Sequence, residues 1–171
     1  MEILIIGAVI LQSIAVSLGV GSSTLAIINF FVAIADGKID ESERSMMGVV
    51  YIVMRVAMVM ILLTTGILSA MQYALLSTVF LSPFIIGFWL VLAILYINAT
   101  LMTMRIMPST FGPALQASSW YTLGILMALS SMGLIGFTFI EFAVAYAAVV
   151  FLAVFAVRVT MVLLKKKKKA K

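Results

Sequence analysis

The lengths of the apolar runs restrict this chain more than any other feature. Five stretches, residues 3–35, 45–71, 83–107, 114–134 and 139–164, are almost free of charge. A bilayer core of about 30 Å needs roughly 20 such residues in a helix. Lipid offers no partner for free backbone N–H and C=O groups, so long runs of this kind are read as helices. The short alternating segments of an outer-membrane barrel are not visible. The expectation is an all-α integral membrane protein with five transmembrane helices. Residues 1–164 form one bundle, and residues 165–171 form a polybasic tail.

Composition excludes the soluble classes. Hydrophobic residues are 65% of the 171 and charged residues 10%, against roughly 45–50% and about 25% in an average soluble domain. Such a chain cannot cover its surface with polar side chains, which argues against a cytosolic globule, a disordered chain or a nucleic-acid-binding domain. There is no cysteine and no histidine. Disulfides, thiolate sites, the usual haem and zinc ligands and the favoured general base are therefore missing. No cofactor or metal is expected. No paired carboxylates or Ser–His arrangement points to an enzyme.

Lysine and arginine placement sets direction. Lys38 and Arg44 follow the first run, Arg105 ends the third, and Lys165, Lys166, Lys167, Lys168 and Lys169 follow the fifth. The links at 72–82 and 133–138 carry no charge. Five spans place every basic segment on one side, with the N-terminus outside and the C-terminus cytoplasmic, in a multi-pass protein of the plasma (inner) membrane. The lysine run reads as a topology lock that contacts anionic headgroups. The N-terminal run lacks a positive leader and is expected to be retained as the first helix.

Residues 3–35 as a helix would span about 50 Å, exceeding the core by about 20 Å. A kink is expected at Gly19-Val-Gly-Ser-Ser-Thr24. The second run also stays apolar past Met71. Both excesses fall on the outer side, where an apolar collar suits another copy or a membrane partner. Ala15, Gly19 and Ser23 recur every four residues and form a small-residue face, for packing within the molecule or between copies.

Several motifs have plain structural readings. Asp36-Gly-Lys-Ile-Asp-Glu-Ser-Glu43 lacks EF-hand spacing, so Asp36-Gly37 reads as a turn and Asp40 with Glu43 as a helix cap. Thr138-Phe-Ile-Glu141 fits a capping box. Met107-Pro-Ser-Thr-Phe-Gly-Pro113 is a break. The methionines, among them Met54, Met58 and Met102, read as core filler. Trp120 and Tyr121 suit an interfacial belt. Gln116, Ser118 and Ser119 are placed to close the mouth of a cavity.

Arg55 is the most informative residue, because a charge inside a span marks function by default. Counted along each run from its cytoplasmic end, Arg55 and Asn98 lie about 13 Å deep, Thr122 about 12 Å, and Asn29 and Arg158 about 9 Å. All five helices can thus bring a polar side chain to one layer. In one reading the arginines snorkel to headgroups and the asparagines hold helices together. In the other the layer lines a cytoplasm-facing cavity suited to an anion, a phosphate or a lipid headgroup.

The segment Gly19-Val-Gly-Ser-Ser-Thr24, then Asp36-Gly37 and a second helix carrying Arg55, resembles a group of small multispanning bacterial inner-membrane proteins. Gly112-Pro-Ala-Leu-Gln116 with Ser119-Trp-Tyr121 belongs to the same pattern. The resemblance covers most of the chain and implies no activity. Some similar short proteins carry a histidine early in the first helix, and this chain has none. The functional expectation is a small oligomeric channel or carrier for an anionic or neutral solute. The alternative is a non-transporting accessory protein that assembles through its apolar outer surface.

Overall fold

A computed structural model describes residues 2–36, 41–76, 82–108 and 110–169, with the side chains of 33–36, 75–76 and 165–169 left out. The described residues form five helices: α1 (Glu2–Asp36), α2 (Glu41–Leu76), α3 (Pro83–Thr103), α4 (Phe111–Ser131) and α5 (Phe139–Lys169). Among them α1, α2, α3 and α5 are long and apolar enough to cross a membrane. The chain is all-α and has the helices of a membrane-embedded protein. The expected cap at Asp40 lies outside the described residues, and the headgroup contacts of Lys165–Lys169 rest on side chains that are not described, although the backbone of these lysines continues α5 instead of forming a separate tail.

Consecutive helices run antiparallel, as short links require. α2 packs along α1, whereas α4 packs against α1, α3 and α5. α4 is the central element, and ten of its 21 residues are buried. That position fits its composition, since it is the one described helix that is not apolar enough by itself to rank as a span. It faces protein rather than lipid, so Gln116, Ser118, Ser119 and Thr122 are all accommodated inside.

The α1–α4 contact corrects two expectations. α1 runs unbroken through Gly19–Thr24. The hydroxyls of Ser22, Ser23 and Thr24 donate to Gly19 O and Val20 O on their own helix, at 3.2, 3.0 and 2.7 Å, so they leave its ladder intact. Gly19 serves a close approach instead. A Cβ there would lie 2.2 Å from Trp120 Cε3. Trp120 is 0% exposed and belongs to the core, not to an interfacial belt, because the missing side chain of Gly19 opens a slot for the indole. Tyr121, about 100° further round the helix, is exposed, and its hydroxyl shares a 2.8 Å hydrogen bond with Thr24 Oγ1. Ala15, Gly19 and Ser23 are all buried within this single copy.

Helix ends follow local chemistry. Ser82 Oγ accepts from Ile85 N at 3.3 Å and Pro83 opens α3, where its missing N–H costs nothing. At α5, Glu141 Oε2 accepts from Thr138 N at 2.7 Å, and Thr138 Oγ1 accepts from Glu141 N at 3.3 Å, completing the capping box. α3 stops at Thr103, before the apolar run ends. Ile106 N donates to Leu101 O and Arg105 N to Met102 O, at 3.0 and 3.1 Å. This is a Schellman turn in which Arg105, with φ 58°, holds the left-handed position. α4 ends in the same turn with Gly133, φ 72°, at that position.

Candidate functional site

Two groups of side chains at opposite ends of the bundle lie along the seam between α2 and α3, which meet through side chains and not by close backbone packing. The first lies where α1 and α3 end and α2 and α4 begin. Asn98, 1% exposed, donates from Nδ2 to Gly112 O and to Gln116 Oε1, both at 2.9 Å. Gln116 Nε2 in turn approaches Met54 Sδ at 3.7 Å and Met58 Sδ at 3.9 Å. The amide pair therefore ties α3 to α4 and meets α2 through soft thioethers. Beside it are a cavity of about 60 Å³ reaching Ser23 and Phe30 of α1 and a groove of about 270 Å³ between α2 and α3. Tyr51, Met54, Met102 and Gln116 line both.

The second group lies at the other end, where the start of α1, the end of α2, the start of α3 and the end of α4 enclose about 500 Å³. Its polar lining includes Gln12, Thr65, Ser69, Gln72, Ser130 and Ser131, and among the described residues no charged one lines it. Gln12 Nε2 donates to Thr65 Oγ1 at 3.0 Å, and Trp89 Nε1 to Ser69 Oγ at 3.1 Å. Phe84, Ile85 and Phe88 supply apolar walls.

Between these spaces the seam is filled by packed apolar side chains. Ile61, Val91, Leu92, Leu95 and Leu123 are each 0 or 1% exposed. Tyr96 Oη donates to Met58 O at 2.7 Å and pins α3 to α2. From Met58 to Thr65, the nearest lining residues on α2, the plug measures about 10 Å.

The five residues of the expected polar layer do not close around one space. Arg55 is exposed, on the wall of the groove. Asn98 is buried behind it in the amide pair. Thr122 is buried, but its hydroxyl donates to Ser118 O on its own helix at 2.8 Å. Asn29 is half-buried, with Nδ2 unpartnered among the described residues. Arg158 is exposed on α5, which has no extended packing with α2. None of the three cavities is lined by more than one of these five. Equal depth is a one-dimensional property, and rotation about each helix axis decides what a side chain faces.

Sequence reasoning passed over the uncharged cavity. Its signal was present: Thr65, Ser69 and Gln72, spaced by four and three, share one face of α2. They are single polar residues in an apolar run, and such residues commonly bond their own helix. Compared with protein-family models, curated proteins and solved structures, the chain matches none.

Proposed function

We propose that the chain is a carrier for a small neutral solute in the plasma (inner) membrane. It has five spans, an outside N-terminus and a cytoplasmic C-terminus. α4 counts as the fifth span because it matches α3 in length, at 21 residues each, and is sheathed by other helices. Arg44, Arg105 and the lysine run of α5 lie toward one end of the bundle, which favours that end as cytoplasmic.

The observation that carries the reading is the pair of spaces on one α2–α3 seam, at opposite ends and divided by about 10 Å of packed apolar side chains. A closed plug suits a carrier or gated pore better than an open one. The larger space offers amide and hydroxyl groups without charge, which suits a polyol or an amide. α2 is held chiefly by α1, while the side-chain hydrogen bonds of Trp89 to Ser69 and of Tyr96 to Met58 O cross the seam to α3. A small displacement of α2 would join the two spaces.

The test is stopped-flow swelling of liposomes containing the purified protein, with glycerol and urea as solutes. Swelling faster than in protein-free liposomes is expected, and Ile61→Ser should accelerate it further by wetting the plug. Swelling rates equal to protein-free liposomes for both proteins would refute transport.

The accessory reading keeps one specific support. α1 and α2 are each about 20 Å longer than α3 and α4, and Ile3, Leu4 and Ile6 at the start of α1 are well exposed. A stable oligomer lost on Ile3→Ser with Ile6→Ser, in a chain that passes no solute, would favour assembly.

A further inference from the structure

Arg55 is a cation inside an apolar helix, and among the described residues it has no hydrogen-bond or ion-pair partner. Its neighbours on the same exposed stripe of α2 are Tyr51 and Val59, 46 and 56% exposed. Neither α3 nor α4 contains an acid. The nearest acid on α2, Glu43, is about 18 Å away along the helix. Among the described residues no carboxylate pairs with this charge, and an unpaired cation at such depth is costly.

The surroundings of Arg55 describe what would neutralise it. It lines the 270 Å³ groove with Tyr51, Met54, Met58, Ala99 and Met102. Tyr51 lies one turn from Arg55 toward the basic end, and its hydroxyl is likewise unpartnered among the described residues. Two donors thus sit together at one part of a groove whose other lining is three thioethers and the Ala99 methyl, with Thr103 and Gln116 as its remaining polar residues. Tyr96 closes the seam beyond Met58. A polar end with cationic character and an apolar end directed toward the bilayer centre match an anionic amphiphile.

Depth agrees with this. Arg55 lies about 13 Å from Met46, the first apolar residue of α2. Helical side chains lean toward the N-terminus and cover the preceding turn, about 5 Å away. α2 begins at the basic end, so that lean carries the guanidinium toward the nearer surface.

We infer that the groove between α2 and α3 is a binding site for an anionic phospholipid, with its phosphate held by Arg55 and Tyr51 and the first part of an acyl chain laid against Met54 and Met58. The methionines adapt their shape to the chain, and Ala99 leaves the width for it. This site lies at the opposite end of the seam from the uncharged cavity, in the other of the two spaces on which the transport reading rests, and lipid retention is measured without solute transport.

The experiment is native mass spectrometry of the full chain released from micelles containing equimolar phosphatidylglycerol and phosphatidylcholine of the same acyl composition. Retention of phosphatidylglycerol at least fivefold above phosphatidylcholine is expected. Arg55→Gln should bring the ratio close to one, whereas Arg44→Gln, outside the groove, should leave it unchanged. Ala99→Trp should also lower the ratio with Arg55 intact, which separates a groove from a bare charge. Circular dichroism checks that each variant keeps its helix content, and Arg55→Lys, which retains partial preference, covers the case where the glutamine variant fails to fold. Equal retention by the wild type, or a preference that survives Arg55→Gln, overturns the proposal. Inorganic phosphate that abolishes phosphatidylglycerol retention at millimolar concentration overturns it in favour of a free-anion site.

Discussion

Two glycines of one short motif should respond to the same substitution with opposite signs. Gly19 and Gly21 are two residues apart on α1. A Cβ at Gly19 would sit 2.2 Å from the indole of Trp120, whereas one at Gly21 meets nothing within 4 Å. Restoring ordinary contact at 3.4 Å at position 19 requires the indole or the helices to move by 3.4 − 2.2 = 1.2 Å. Trp120 is enclosed on all sides, so it has no free direction to take. Overpacking of this kind costs about 1–3 kcal/mol. At about 2 kcal/mol, Gly19→Ala should raise the unfolding constant roughly 30-fold. Gly21→Ala removes a poor helix former without a clash and should be neutral or stabilising by up to about 1 kcal/mol. The assay is unfolding in mixed micelles by titrated dodecyl sulfate, followed by far-ultraviolet circular dichroism. Trp120→Leu combined with Gly19→Ala should recover part of the loss, with a coupling of about 0.5–3 kcal/mol. A Gly19→Ala protein as stable as the wild type, or two alanine variants that shift stability alike, would refute the close approach of α1 to α4.

Three further outcomes are expected. Asn98→Leu leaves Gly112 O and Gln116 without their donor and should cost about 1–2 kcal/mol in the same assay, and the added Gln116→Leu should cost less than its own single effect. Arg105→Gly relieves the left-handed backbone at the end of α3 and should stabilise by about 1 kcal/mol, read as a raised thermal midpoint. Tyr96→Phe removes the hydrogen bond to Met58 O and should increase glycerol flux in liposomes while circular dichroism shows unchanged helicity; an unchanged rate would exclude this bond as a latch on the seam.

The agreement between sequence and structure is closest at the helix ends. Thr138 and Glu141 act on each other three residues apart, so the capping box of α5 is visible without a fold. The Gly19–Thr24 segment is different. Its glycines and hydroxyls suggest weakness when read along one helix, and only the arrival of Trp120, 101 positions later, turns Gly19 into a contact point. Trp120 itself was misplaced for the same reason. An aromatic residue near the end of a hydrophobic run suits a membrane surface equally well until a complementary slot is known.

Local and bulk properties were settled by the residues alone: helical class, the apolar character of four long helices and the capping box of α5. These follow from backbone hydrogen bonding and transfer energy, which depend on each segment separately. Tertiary structure decided the azimuths. It turned Asn98 inward to Gln116, left Arg55 on an outer groove, sent Arg158 to another face and gathered Gln12, Thr65 and Ser69 around an uncharged space. Rotation about a helix axis hardly changes the burial of a nearly uniform apolar segment in lipid. Only the shapes of the facing side chains, a glycine against an indole above all, select one rotation from the rest.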